Sequence, residues 1–193
     1  MSSCLPRIAI FASGNGSNAQ RIADFFSGKR ILEIAAIYSN NPDAYVLERA
    51  KMMNIPSIIF NRNMLNQTHE ILDDLIARRV DWIILAGFLW LIPEYLLKAY
   101  PQKIINIHPA LLPNYGGKGM YGARVHEAVI ASGDNESGIT IHFVNEKYDE
   151  GQVIFQEKCL IEREETPESL ALKIHELEYK YFPEVISKLV SLK

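Results

Sequence analysis

The chain has 193 residues, 48% hydrophobic and 22% charged, with a net charge of −3 and a pI near 6.0. That is the profile of a folded globular protein with a sizeable core, without the basic excess of a general nucleic-acid binder. The longest uncharged stretch runs only from Trp82 to Ile92 before Pro93, short of the ~20 residues that span a bilayer.

The N-terminus, MSSCLPRIAIFASG, lacks a basic region followed by a long apolar segment, so no signal peptide is expected. Cys4 and Cys159 fit no metal or redox spacing and are expected as reduced thiols of a cytoplasmic protein. In chain order, Arg7–Ala12 is a short apolar strand that stops at a glycine-rich turn. Asn18–Ser27 then reads as a helix with Ile22, Phe25 and Phe26 inward. Leu32–Tyr38 is a strand, Ala44–Met53 a helix and Ser57–Phe60 a short strand after Pro56. Residues 65–79 carry apolar residues at helical spacing with an arginine-rich end. Trp82–Leu85 is a buried strand, Pro93–Ala99 a short helix opened by proline, and Lys103–Ile107 the next strand.

Strands alternating with helices predict right-handed βαβ units and a parallel sheet. The pattern changes at Gly138–Val144 and Gln152–Lys158. Only NEKYDEG joins these two strands, which leaves no room for a crossover helix and predicts an antiparallel pair. From Thr166 onward, Leu170, Ile174, Leu177, Tyr181 and Val185 follow helical spacing, with Pro167 suited to the first turn. The expected architecture is α/β: a Rossmann-like, mostly parallel sheet with flanking helices and an antiparallel pair in the C-terminal part. The whole chain, 1–193, reads as one domain.

The turn SGNGSNA (Ser13–Ala19) follows the first strand and opens the first helix. Glycines admit positive φ and close ligand approach, and free amides at a helix start favour an anion. Asn15, Ser17 and Asn18 can add side-chain hydrogen bonds to a phosphate. Gly14, Gly16 and Ala19 also satisfy G-x-G-x-x-G/A, but a dinucleotide site wants an acidic residue at the end of the second strand. That region is IYSNN (Ile37–Asn41), and Glu33 sits at the wrong end. A nicotinamide dehydrogenase is disfavoured accordingly. The alternative is a tight turn whose glycines serve only the chain path.

Asn106 and His108, in INIHPALLP, emerge on one face of their strand because strands have period two. Ligands of parallel α/β sheets bind beyond the carboxyl ends of strands, where both this pair and the glycine turn lie. The segment NYGGKGMYGARVHEA follows, glycine-rich and suited to fold over a ligand. Thr140 and His142 share a face of a later strand, and Asp149 sits in the turn after it. An amide donor, an imidazole and a carboxylate that can hold it suit a reaction in which a carbonyl oxygen becomes an oxyanion. No serine or cysteine stands as an obvious nucleophile, so the nucleophile would belong to a substrate. The alternative is a strand cap and a structural histidine.

FASGNGSN, LAGF, INIHPALLP and GITIHFVNEKYDEG occur in an order that resembles the folate-dependent formyltransferases, specifically the glycinamide ribonucleotide transformylases of purine synthesis. The resemblance covers nearly the whole chain, and its length leaves no room for the extra domains of related formyltransferases. It implies Asn106, His108 and Asp149 as the catalytic trio, with Asp149 keeping the His108 imidazole charged. It implies the substrate phosphate on Gly16, Ser17 and Asn18, and the ribose at Glu178. The folate would lie along Leu89, Trp90, Leu91 and Ile92 with Asn106 and Asn145. Trp90 stands where many relatives have arginine, Gly116–Arg124 is longer than in shorter relatives, and Arg62 is a candidate for the folate glutamate tail. The implied co-substrate is 10-formyltetrahydrofolate, with small-molecule partners, no metal, no nucleic acid or membrane, and a monomer or homodimer. A formyltransferase for another amino sugar nucleotide and a non-catalytic phosphate-binding domain are the rival readings.

Overall fold

A computed structural model describes residues 5–191. Seven strands form one sheet in the order β3-β2-β1-β4-β5-β6-β7. The elements run β1 (Arg7–Phe11), α1 (Ser17–Phe26), β2 (Glu33–Ser39), α2 (Tyr45–Met52), β3 (Ser57–Ile59), α3 (Arg62–Asn66) and α4 (Glu70–Ala77). They continue β4 (Trp82–Leu85), α5 (Glu94–Ala99), β5 (Ile104–His108), α6 (Ala123–Ser132), β6 (Glu136–Phe143), β7 (Val153–Leu160) and α7 (Pro167–Ser191). The first five strands pair in parallel, and β5–β6 and β6–β7 pair antiparallel, as the short connection between the last two requires.

Period two splits each central strand between two cores. Ile8 and Ile10 of β1 face one core, which includes Ile22 and Phe26 of α1, Val125 and Val129 of α6, and Ile174 and Phe182 of α7. Ala9 and Phe11 face the other, with Leu65 of α3, Ile71 and Leu75 of α4, and Leu96 of α5. In β5, Ile105 and Ile107 belong to the first core, so Asn106 and His108 emerge from the opposite face. The chain order reverses between β1 and β4, which opens a crevice beyond their carboxyl ends. The Ser13 N–H donates to the Gly87 carbonyl across that crevice at 3.0 Å.

Several elements differ from expectation. The glycine-rich segment is ordered into a helix from Ala123, with Val125, His126 and Val129 buried and Gly133 ending it at φ 73°. Residues 65–79 are two helices, because Asn61 caps α3 by accepting from the Met64 N–H at 3.0 Å and His69 interrupts the path at φ 59°. β5 also runs one residue further than expected, to His108.

Candidate active site

One cleft holds the glycine turn, the end of β5 and the segment Gly117–Gly122, with a volume of about 650 Å³. Gly16 caps α1 at φ 74°, and no side chain caps the helix. Gln20 is the first residue of that turn to donate back, to the Gly16 carbonyl at 2.9 Å. The Ser17, Asn18 and Ala19 amides belong to the first turn, where helix geometry offers no carbonyl partner and the dipole favours an anion. A Cβ on Gly16 would stand 2.3 Å from Val46 Cγ2 and 2.9 Å from Val46 Cα, so this glycine also lets α2 approach the turn. Its role in packing is therefore established by geometry alone.

Asn106, His108 and Asp149 converge from β5 and the β6–β7 turn. Asp149 Oδ2 accepts from the Gly117 N–H at 2.9 Å and lies 3.6 Å from His108 Nδ1. Its Oδ1 accepts from Asn106 Nδ2 at 3.4 Å. Gly151 lets the chain turn there, since a Cβ on it would overlap the Phe143 carbonyl oxygen. Asp149 takes φ 58°, a left-handed conformation that aspartate tolerates. Burial raises the Asp149 pKa, but His142, His108 and the Gly117 amide together hold it below the ordinary carboxylate value.

His108 is only 3% exposed. Its Nε2–H donates to the Tyr115 carbonyl at 2.8 Å, which leaves Nδ1 as the acceptor beside Asp149. Burial pulls the His108 pKa down, and the Asp149 charge and the Tyr115 bond only partly oppose it. Desolvation outweighs the carboxylate at His108, against the expectation that Asp149 keeps this imidazole charged.

His142 completes the cluster, and the expected site did not include it. His142 Nδ1–H donates to the Phe143 carbonyl at 2.9 Å, so Nε2 accepts from Asn106 Nδ2 at 3.1 Å. The shared face with Thr140 was the available sequence signal. Thr140 itself is structural: its hydroxyl donates to the Ala110 carbonyl and accepts from the Leu112 N–H and from Gln156.

The remaining candidates divide. Glu178 is 5% exposed, not on a solvated helix face, and its Oε2 accepts from Asn18 Nδ2 at 2.9 Å and from His175 Nδ1 at 3.0 Å. It lines the cleft together with Leu89. Trp90, Leu91 and Ile92 form the apolar side of a second recess, which shares Asn106 and Asp149 with the cleft and has His142 and Lys147 on its polar side. The Arg62 guanidinium packs over Trp90, 4.5 Å from the ring centroid. Asn145 does not line the cleft, and its Oδ1 accepts from the Lys147 N–H at 3.0 Å in a local turn. Cys4 lies outside the described residues, and Cys159 is half-buried with its thiol pKa raised by burial. Among the described residues no three His, Cys, Asp or Glu side chains converge as metal ligands, and no helix is long and apolar enough to cross a membrane.

An anion-ready helix start and a buried amide–imidazole–carboxylate cluster, opening on one crevice of a parallel sheet, define an α/β group-transfer site. The chain belongs to the formyl transferase family, whose model matches residues 6–186. It is 40% identical over 187 residues to the phosphoribosylglycinamide formyltransferase of Haemophilus influenzae, covering 94% of this chain and 86% of that protein. It is likewise 40% identical over 186 residues to the chloroplastic phosphoribosylglycinamide formyltransferase of Arabidopsis thaliana, covering 93% of this chain. It spans less than two thirds, 64%, of that plant protein's length. Its fold matches the crystal structure of glycinamide ribonucleotide transformylase 1 from Geobacillus kaustophilus with a TM-score of 0.88 at 36% identity. That match covers 97% of this chain and 100% of the other.

Proposed function

We propose that the protein, acting as a single formyltransferase domain, transfers the formyl group of 10-formyltetrahydrofolate to the amine of N1-(5-phospho-D-ribosyl)glycinamide. The observation that carries this reading is that one cleft joins the α1 start to the Asn106–His108–Asp149 cluster, where a second recess of mixed lining meets it. The phosphate sits on Gly16, Ser17 and Asn18 and the ribose at Glu178. The pterin enters along Leu89–Ile92, with Arg62 as the cation for the outer carboxylates of the folate.

The substrate amine attacks the formyl carbon and forms a tetrahedral adduct with a cationic nitrogen and an oxyanion. Asn106 donates to the oxyanion. One of its N–H groups is committed to His142, and the other makes only a long bond to Asp149, which it can exchange for the substrate oxygen. Neutral His108 takes the proton from the new nitrogen at Nδ1, and Asp149 stabilises the imidazolium so formed. The same proton passes to the folate N10 as the C–N bond breaks, leaving formylated ribonucleotide and tetrahydrofolate.

The test is direct. Purified protein with both substrates is expected to release tetrahydrofolate, measured by absorbance, in proportion to ribonucleotide supplied. Turnover with no dependence on the ribonucleotide, or none with the folate donor, refutes the reading. Replacing the ribonucleotide with other phosphorylated amino sugars separates it from its nearest rival.

A further inference from the structure

His126 is a buried titratable group of the cleft that the proposed mechanism leaves unused. It lies on α6, is 3% exposed, and lines the same cleft as Asn18, His175, Glu178 and His108. Its Nδ1 is fully buried with no hydrogen-bond partner among the described residues. Buried polar nitrogens are almost always paired, because leaving one unpaired is a net cost to the fold. A hydrophobic side chain would serve α6 better if packing were the only demand, as Val125 and Val129 on the same helix show.

We propose that His126 is a substrate-binding residue that hydrogen-bonds the glycinamide amide of the ribonucleotide, the link between its ribose and its reacting amine. The inference rests on the proposed function and deepens it. Position supports it: His126 lines the cleft with Glu178 and His175, which mark its ribose end, and with His108, which marks its reacting end. Chemistry supports it as well. Burial lowers the His126 pKa, His175 and His108 act in the same direction, and the Glu178 charge opposes them only in part, so the neutral ring, with one donor and one acceptor, is favoured. A secondary amide presents a carbonyl or an N–H to the ring nitrogen that meets the cleft. A ribose hydroxyl is the competing occupant, and ligand choice separates the two.

The experiment compares the wild-type protein, His126→Phe and His126→Asn by calorimetric titration with the glycinamide ribonucleotide and with ribose 5-phosphate, which lacks the amide. In His126→Phe the ribonucleotide is expected to bind about tenfold more weakly, while ribose 5-phosphate changes by less than about twofold. The Tm of that variant is expected to equal or exceed the parent's, because an unpaired buried nitrogen has been removed. His126→Asn, which returns an amide near the Nδ1 position, is expected to recover part of the lost affinity. Equal weakening of both ligands, unchanged ribonucleotide affinity, or a lower Tm in His126→Phe overturns the inference. A wild-type protein that fails to formylate the ribonucleotide would instead overturn the function on which it rests.

Discussion

Asn106 and His142 face each other directly across β5 and β6, and the asparagine amide nitrogen stands 3.1 Å from His142 Nε2. The histidine is itself fixed, because its Nδ1–H is held by the Phe143 carbonyl. The sheet register therefore sets the orientation of the amide that meets the oxyanion. His142→Leu is expected to leave Asn106 held only by its long bond to Asp149 and to lower kcat by ~10-fold, the order of effect of a misplaced oxyanion donor and below that of losing it outright. KM for the ribonucleotide is expected to change little. A variant that raises KM and keeps kcat would show that His142 serves substrate binding.

His108 and Asp149 give a signed pH prediction. His108 acts as the neutral base, and its pKa lies below the ordinary ~6.5, so activity is expected to hold through neutral pH and fall on acidification below that value. Asp149 raises the His108 pKa, so Asp149→Asn is expected to move the acid limb of kcat/KM to lower pH while the plateau falls. His108→Ala is expected to lower kcat/KM by ~10²–10⁴ and to abolish that limb. An acid limb that moves upward in Asp149→Asn would reverse the assigned electrostatics.

Ser17 allows stability and binding to be separated. α1 has no acidic residue in its first turn, so Ser17→Asp places a carboxylate where the helix dipole favours it. The fold is expected to gain ~0.3–1 kcal/mol, read as a small rise in Tm. The same charge repels a phosphate at that helix start, so ribose 5-phosphate affinity is expected to drop at least about tenfold. Parallel changes in the two measurements would place the anion elsewhere.

The alternation of apolar runs with helical spacing made the parallel sheet legible, and the short NEKYDEG connection made the antiparallel pair legible. α6 was not, because the glycines from Gly116 to Gly122 overshadowed its buried face at Val125, His126 and Val129 and its terminal Gly133. The convergence of Asn106, His108 and Asp149 was legible in motif and period. The charge state of His108 was not, since it follows from burial produced by packing across the whole cleft. Gly16 shows the same limit. Its positive φ could be read from the turn, whereas its contact with Val46 depends on where α2 docks.

The buried imidazoles also dictate how stability depends on pH. His108 and His126 have folded-state pKa values below the unfolded value of ~6.5, so below that pH the unfolded chain binds protons that the folded one refuses. Their contribution to stability is present above ~6.5 and is lost as pH falls through their folded values. His175 has the opposite sign. Its hydrogen bond to Glu178 raises its pKa, so its contribution is complete below ~6.5 and is lost as pH rises through the raised value. The His175 side chain is 45% exposed, and solvent screening keeps that contribution small. Stability is therefore expected to peak near pH 6.5, with the acid side steeper than the alkaline side. Urea unfolding at pH 5, 6.5 and 8 measures both slopes, and His126→Phe should flatten the acid side without altering the alkaline one. His175→Gln should do the reverse. Stability that climbs steadily to pH 8 in the wild type would mean that the His175–Glu178 pair contributes nothing to the fold. An acid slope unchanged in His126→Phe would mean that His126 is solvated before the chain unfolds.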